Sequence, residues 1–136
     1  CFYSTFTYLA QALQYQHPDV IVQTVPGVCS PLAAAAILDE PLTIQSQRLI
    51  ILPALYTLAD LEAALDQADV VVLMKVASVY PAVWKTLQQH QLLGHSRLIV
   101  HATQADQQLY HNLENYPDLQ LPYFSLLIIH CGQSIR

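Results

Sequence analysis

Five stretches of the chain are almost unbroken in Val, Ile and Leu: Val20–Val25, Leu49–Leu52, Val70–Val76, Leu98–His101 and Phe124–His130. Strands read this way, without alternation, when both faces of their sheet are covered. Between them the apolar positions recur every three or four residues, which predicts helices. Tyr3–Gln16 sets Phe6, Leu9, Ala10 and Leu13 on one face. Leu58–Gln67 starts behind Thr57, a good N-cap, with Leu58, Leu61, Ala64 and Leu65 as its stripe. Tyr80–Leu93 turns Tyr80, Val83, Trp84, Leu87 and Leu92 inward, and Gly94 is placed to cap it. A small-residue helix opens at Cys29 or Ser30, accommodates Pro31 in its first turn and runs to Leu38.

The stretch "ATQADQQLYHNLENY" satisfies two readings, a helix from Ala105 or a turn through Thr103–Asp106 followed by a strand around Gln108–Leu113. The hairpin is preferred because an apolar strand ends directly before the turn. The order of elements predicts an α/β fold with a mostly parallel or mixed five-stranded sheet and helices on both faces. No repeat, low-complexity tract or long linker divides the chain, so residues 1–136 are expected to form a single domain.

Composition narrows the function. With 136 residues, 54% of them hydrophobic, the chain can bury roughly two-thirds of its unfolded surface. A net charge of −5 and five scattered basic residues argue against a nucleic-acid partner. No apolar run approaches the ~20 residues of a membrane-spanning helix, so no membrane partner is expected. Cys1, Cys29 and Cys131 form no metal or redox spacing and read as free thiols, which suits the cytoplasm. His130 and Cys131 are adjacent and would point to opposite faces of a strand, poor geometry for a shared metal. The chain begins with Cys and enters a helix at once, as a piece of a longer protein would.

In open α/β sheets, ligands bind beyond the carboxyl ends of the strands. That rule collects Pro26 to Ser30, Pro53 to Tyr56, Met74-Lys75-Val76 and Ala102-Thr103-Gln104 at one rim. Pro122 to Ser125 joins them if the last strand runs antiparallel, and lies at the opposite end if it runs parallel. The rim has hydroxyls, aromatics, one methionine and little charge, and it lacks the glycine patterns of dinucleotide or triphosphate sites. Arg48 and Arg97 precede their strands, so Lys75 is the cation best placed for a substrate carboxylate. Cys29 reads more simply as a packed small residue than as a nucleophile.

The pieces "FYSTFTYL", "VQTVPGVCSPLAAAA", "LPALY", "VVLMKVASVY", "ATQADQQLY" and "LPYFSLLI", in this order, resemble the tetrapyrrole methyltransferases. The resemblance spans nearly the whole chain. It implies a two-domain enzyme that methylates a reduced tetrapyrrole from S-adenosylmethionine, works as a homodimer and binds its methyl donor between the domains. This chain would be the connecting helix, 1–16, with the C-terminal domain, the N-terminal domain being absent. A Gly-Asp-Pro motif precedes the "FYST" helix in that family, whereas the present chain opens at Cys1. Carried across by motif, Tyr3, Ser4 and Thr5 would lie near the methyl donor, and Pro26, Gly27, Val28, Cys29 and Ser30 would line its cleft. Met74 would approach it, and Ala102, Thr103, Pro122, Tyr123 and Phe124 would complete the adenosyl pocket. Lys75 would face cofactor or substrate, and Cys29 stands where the family more often has Thr or Ser. The resemblance assigns no catalytic acid or base and no metal. Two other readings stay open: a non-catalytic binding or dimerisation module on the same fold, and a tetrapyrrole metal chelatase using His101 and His130.

Overall fold

The computed structural model describes residues 5–132. Their elements run α1 (Phe6–Gln16), α2 (Ser30–Leu38), β1 (Leu49–Leu52), α3 (Leu58–Gln67), β2 (Val70–Met74), α4 (Tyr80–Gln89), β3 (Ser96–Val100), β4 (Gln108–Tyr110) and β5 (Ser125–His130). One five-stranded sheet has the order β1-β2-β5-β3-β4. Only β1 and β2 are parallel neighbours, joined through α3; β5 is antiparallel to both β2 and β3, and β4 is antiparallel to β3. The sheet is therefore mixed. Although β1, β2 and β3 point the same way, the last strand inserts between β2 and β3 and removes a parallel contact.

The unbroken apolar runs have the expected cause. Successive side chains of β2 enter opposite layers, Val71 and Leu73 against α3 and α4, Val70 and Val72 against α2. In β5, Leu127 and Ile129 take the first side and Leu126 and Ile128 the second. The larger cluster receives Leu61 and Ala64 from α3 and Tyr80, Val83 and Leu87 from α4, while α2 contributes Ala34 to the smaller one. Each fully buried Leu, Ile or Val contributes about 1.5–3 kcal/mol through removal from water. Two aromatic anchors, the buried Tyr80 and the half-buried Trp84, bind the irregular 111–116 segment to α4: Tyr80 Oη donates to Tyr116 O at 2.8 Å and Trp84 Nε1 to Leu113 O at 2.8 Å.

Several boundaries differ from the sequence reading. Val20–Val25 pairs with no strand and forms no regular element, with Ile21 93% and Val25 81% exposed. An apolar run alone cannot form a strand, because the ladder needs a partner backbone, and none lies beside it among the described residues. β2 stops at Met74, where Lys75 turns into the left-handed region and Val76–Val79 continues as a 3-10 turn. β3 starts at Ser96 and stops at Val100, with His101 left-handed in its turn. Gly94 is not the cap of α4, which ends at Gln89; Gln91 takes the left-handed φ of 57° instead, and Gly94 sits in the 3-10 turn Leu93–His95. The hairpin reading of residues 104–113 is the observed one, through the three-residue β4. The expected inner face of α1 is only partly covered: Phe6 and Ala10 are half-buried, Leu9 and Leu13 are exposed, and no residue of the helix is fully buried.

Candidate functional site

The antiparallel course of β5 decides which residues share a rim. Met74 registers with Leu126 and Val100 with Ser125, so the start of β5 lies beside the ends of β2 and β3. Residues 122–124 therefore sit on the same rim as Lys75 and His101.

A cleft of about 1260 Å³ opens at that rim. One wall is α1 with its N-cap, through Thr5, Thr7, Tyr8 and Gln11; a second is Thr24 to Ser30; Met74, Lys75 and Tyr123 close the sheet side. Thus Thr5, Pro26, Gly27, Val28, Cys29, Ser30, Met74, Lys75 and Tyr123, all singled out from the sequence, border one hollow. Ala102, Thr103, Pro122 and Phe124 share the rim but do not line the cleft. Ala102 packs into the α2-side cluster. Thr103 holds a left-handed φ of 67° while its amide donates to Gln107 Oε1 at 2.8 Å, and Pro122 O accepts from the buried Ser125 hydroxyl at 2.7 Å. Tyr3 and Ser4 lie outside the described residues.

Thr7, Tyr8, Gln11, Thr24 and Val25 line the cleft without having been anticipated. A signal existed for two of them: Thr7 and Gln11 are four residues apart, so they stand one above the other on a helix face. Attention to the apolar stripe of α1 hides that polar row.

The chemistry of the lining is spare. Lys75 carries the one formally charged side chain among the described lining residues. Its ammonium stands 5.6 Å from the centre of the Tyr123 ring, within cation–π range. A Cβ added to Gly27 meets nothing within 4 Å, and its φ is not left-handed, so the backbone does not require glycine there. The missing side chain keeps cleft space open. Cys29 is the N-cap of α2 but makes no side-chain cap bond, and Pro31 follows in the first turn. Met74 places a polarisable thioether between the α2-side cluster and the cleft.

Beside the cleft, His101 Nδ1 is paired with the Asp106 carboxylate, and the His101 ring meets Phe124 edge-on at 6.2 Å between centres. At the other end of the sheet, Arg97 lies 3.5 Å from Glu40 and donates to His111 O at 2.8 Å. His130 stands 3.9 Å from Glu40 on that side, while Cys131 packs toward the opposite cluster. Burial outweighs the Glu40 charge and lowers the His130 pKa. Neither His130 nor Arg97 belongs to the cleft.

Residues 1–116 match the family model of the Tetrapyrrole (Corrin/Porphyrin) Methylases. The chain belongs to this family. It is 33% identical over 129 residues to the cobalt-precorrin-2 C(20)-methyltransferase of Salmonella typhimurium, covering 94% of this chain and 53% of that protein. It is also 32% identical over 132 residues to the cobalamin biosynthesis protein CobIJ of Mycobacterium tuberculosis, covering 97% of this chain and 25% of that protein. Among solved structures, the cobalt precorrin-4 methyltransferase CbiF superposes with a TM-score of 0.67 at 19% identity, over 92% of this chain and 59% of that one. The uroporphyrin-III C-methyltransferase of Thermus thermophilus, complexed with S-adenosylhomocysteine, gives 0.64 at 18%, over 93% and 59%. The structural matches establish the fold, and the chain spans between a quarter and about three-fifths of these proteins' lengths. Tetrapyrrole methylases use S-adenosylmethionine as methyl donor.

Proposed function

We propose that this chain is the C-terminal part of an S-adenosylmethionine-dependent methyltransferase of cobalamin biosynthesis that methylates C20 of precorrin-2 or of its cobalt form. In this reading it supplies one wall of the cofactor cleft. One observation carries it: Gly27, Met74 and Tyr123, from three separate segments, border a single hollow. The likeness to the Salmonella C20-methyltransferase supports the choice of substrate.

The residues fit such a group. The open space at the Gly27 Cβ position admits a flat adenosyl moiety against backbone, and the near absence of charge suits its apolar surface. Bound there, S-adenosylmethionine supplies a methyl group already activated on a sulfonium. What the chain must add is alignment and shelter from water, effects that reach ~7–11 kcal/mol in well-oriented reactions. Pro26 to Ser30 form the slender wall, Met74 supports the reacting end, and Lys75 faces the substrate. Thr5 approaches from the N-cap of α1. No strong base is needed to start the reaction, because the nucleophilic carbon of a reduced tetrapyrrole is enamine-like. We place the full-length protein in the cytoplasm as a homodimer, with light scattering as the check on its state.

Titration of S-adenosylhomocysteine into the full-length protein tests the cleft. Gly27→Val fills the open Cβ space and Met74→Asp brings a carboxylate to an apolar wall. Each is expected to weaken binding at least about tenfold, the equivalent of ~1.4 kcal/mol. Unchanged affinity in both variants removes this wall from the cofactor site.

A further inference from the structure

The helix whose first residue enters the cleft is held to the sheet by little apolar surface. α2 is built of small side chains, and Pro31 and Ala34 are its only buried residues. An alanine withdraws one methyl group from water, far less than a leucine does. Leu38 and Leu42 add partly buried contacts at and beyond its far end. Residues 20–29, which lead into it, form no regular element and are mostly exposed. Ala34, fully buried, is the middle residue of the nine. A helix of this length is a stiff rod about 13 Å long, so an end that shifts carries the other with it.

The end away from the cleft carries a clasp. Asp39 closes α2 with a left-handed φ of 51°, and the Glu40 amide donates to Ala35 O at 3.2 Å, so Glu40 belongs to the closing turn of the helix. Its carboxylate reaches two neighbouring strands. Oε1 lies 3.5 Å from Arg97 Nε on β3, and Oε2 lies 3.9 Å from His130 Nε2 on β5. Arg97 is a fixed post: Nη1 donates to His111 O at 2.8 Å and to Gly94 O at 3.3 Å. Its Nε is buried without a hydrogen bond, and Glu40 is the carboxylate set against it. Ion pairs on open surface contribute little, but here the Arg97 and His130 side chains are 21% and 19% exposed, which weakens screening. Burial lowers the His130 pKa against the pull of Glu40, and Arg97 and His95 add to the lowering. Arg97 is therefore the charged partner of Glu40 at neutral pH.

We infer that Glu40 is a positioning residue for the cofactor wall: by joining the end of α2 to Arg97 and His130, it fixes the helix and sets where Cys29 and Ser30 stand in the cleft. The inference rests on the methyltransferase reading of that cleft. Glu40 touches no ligand and acts through α2 from the opposite end of the sheet. With the clasp open, α2 rocks about Ala34, its cleft end swings, and a bound cofactor loses its alignment.

Two measurements on the full-length protein test this: titration of S-adenosylhomocysteine, and the rate at which iodoacetamide alkylates Cys29 without ligand, read by peptide mass spectrometry. Cys131, packed in the opposite cluster, is the internal control. Glu40→Gln, which keeps the shape and removes the charge, is expected to weaken S-adenosylhomocysteine roughly threefold, and Glu40→Lys roughly tenfold. Both should speed alkylation of Cys29 at least about threefold and leave Cys131 within about twofold. Arg97→Gln should reproduce Glu40→Gln, and the double variant should be no weaker than Arg97→Gln alone, since the two residues act as one contact. If Arg97→Gln does not fold, the two Glu40 variants decide. Unchanged Cys29 alkylation in both overturns the clasp, whatever happens to binding. Cys29 and Cys131 accelerating in step also overturn it, because the role would then be general stability. Faster alkylation of Cys29 alone with S-adenosylhomocysteine affinity unchanged, or a parent that binds none, overturns the cofactor reading beneath it.

Discussion

Cys131 and Tyr80 carry ionisable groups into the larger core cluster or onto its edge, and burial pushes both pKa values up. The thiol moves from 9.0 to about 11, raised by burial and then by the neighbouring Asp69 carboxylate. The phenol moves from 10.0 to about 12, raised by burial and then by Tyr110. A folded-state pKa above the unfolded one means that folding favours the protonated form. The stabilisation from Cys131 is complete below pH 9 and fades as the pH rises toward 11; that from Tyr80 fades between 10 and 12. Urea unfolding measured from pH 8 to 11 should therefore show falling stability. Cys131→Ala should flatten the part of the profile that begins near pH 9 and leave the steeper part above pH 10. An identical profile in the variant would assign the alkaline loss to other groups. Lys75 and His101 show another residue-scale cost: a left-handed backbone at a non-glycine residue is strained by about 1–2 kcal/mol, and it is kept beside the cleft.

At the scale of elements, α3 shows how a local signal becomes structure. Thr57 Oγ1 accepts from the Asp60 amide at 3.2 Å and donates to Asp60 Oδ2 at 2.8 Å, while Asp60 sits in the first turn, where the helix dipole favours negative charge. Thr57→Ala should lower stability by ~1 kcal/mol, a Tm fall of about 2–5 °C for a domain this size. An unchanged melting temperature would mean that solvent caps the helix equally well. The stripe of α3 and its cap were both readable because they depend on residues a few positions apart. β2 and β5 were readable because burial on two faces leaves an unmistakable apolar run. Val20–Val25 carries the same run, yet strand formation depends on a partner backbone, which composition does not encode. The left-handed Gln91, in place of a glycine cap at Gly94, is likewise decided by packing of the 3-10 turn. The strand-end rule brought Met74 and Lys75 to the cleft. The His101–Asp106 pair escaped it, since that pairing appears only once the turn after β3 is closed.

On the scale of the whole molecule, the cleft lies between α1, whose residues are all at least partly exposed, and the sheet, whose central strands are buried. One wall of the site is thus a helix with only partly buried residues, Phe6 and Ala10 among them. Tyr8, Leu9 and Tyr15 of α1 are 74%, 68% and 90% exposed, an apolar surface that the second domain of the proposed methyltransferase would cover. Isothermal calorimetry should accordingly give much weaker S-adenosylhomocysteine binding to residues 1–136 than to the full-length protein. Equal affinities would mean that this wall is sufficient by itself.

The position of β5 has a consequence for how the protein is made. The strand that joins β1–β2 to β3–β4 follows both pairs in the chain, so a ribosome delivers two half-sheets before it delivers the piece that unites them. Until then the inner edges of β2 and β3 offer unpaired amides and carbonyls to any passing strand, and their Val and Leu side chains lack a lid. Nascent chains stalled short of Ser125 should be the species that holdase chaperones retain, with release coming only as Leu126 to Ile129 slide into the gap.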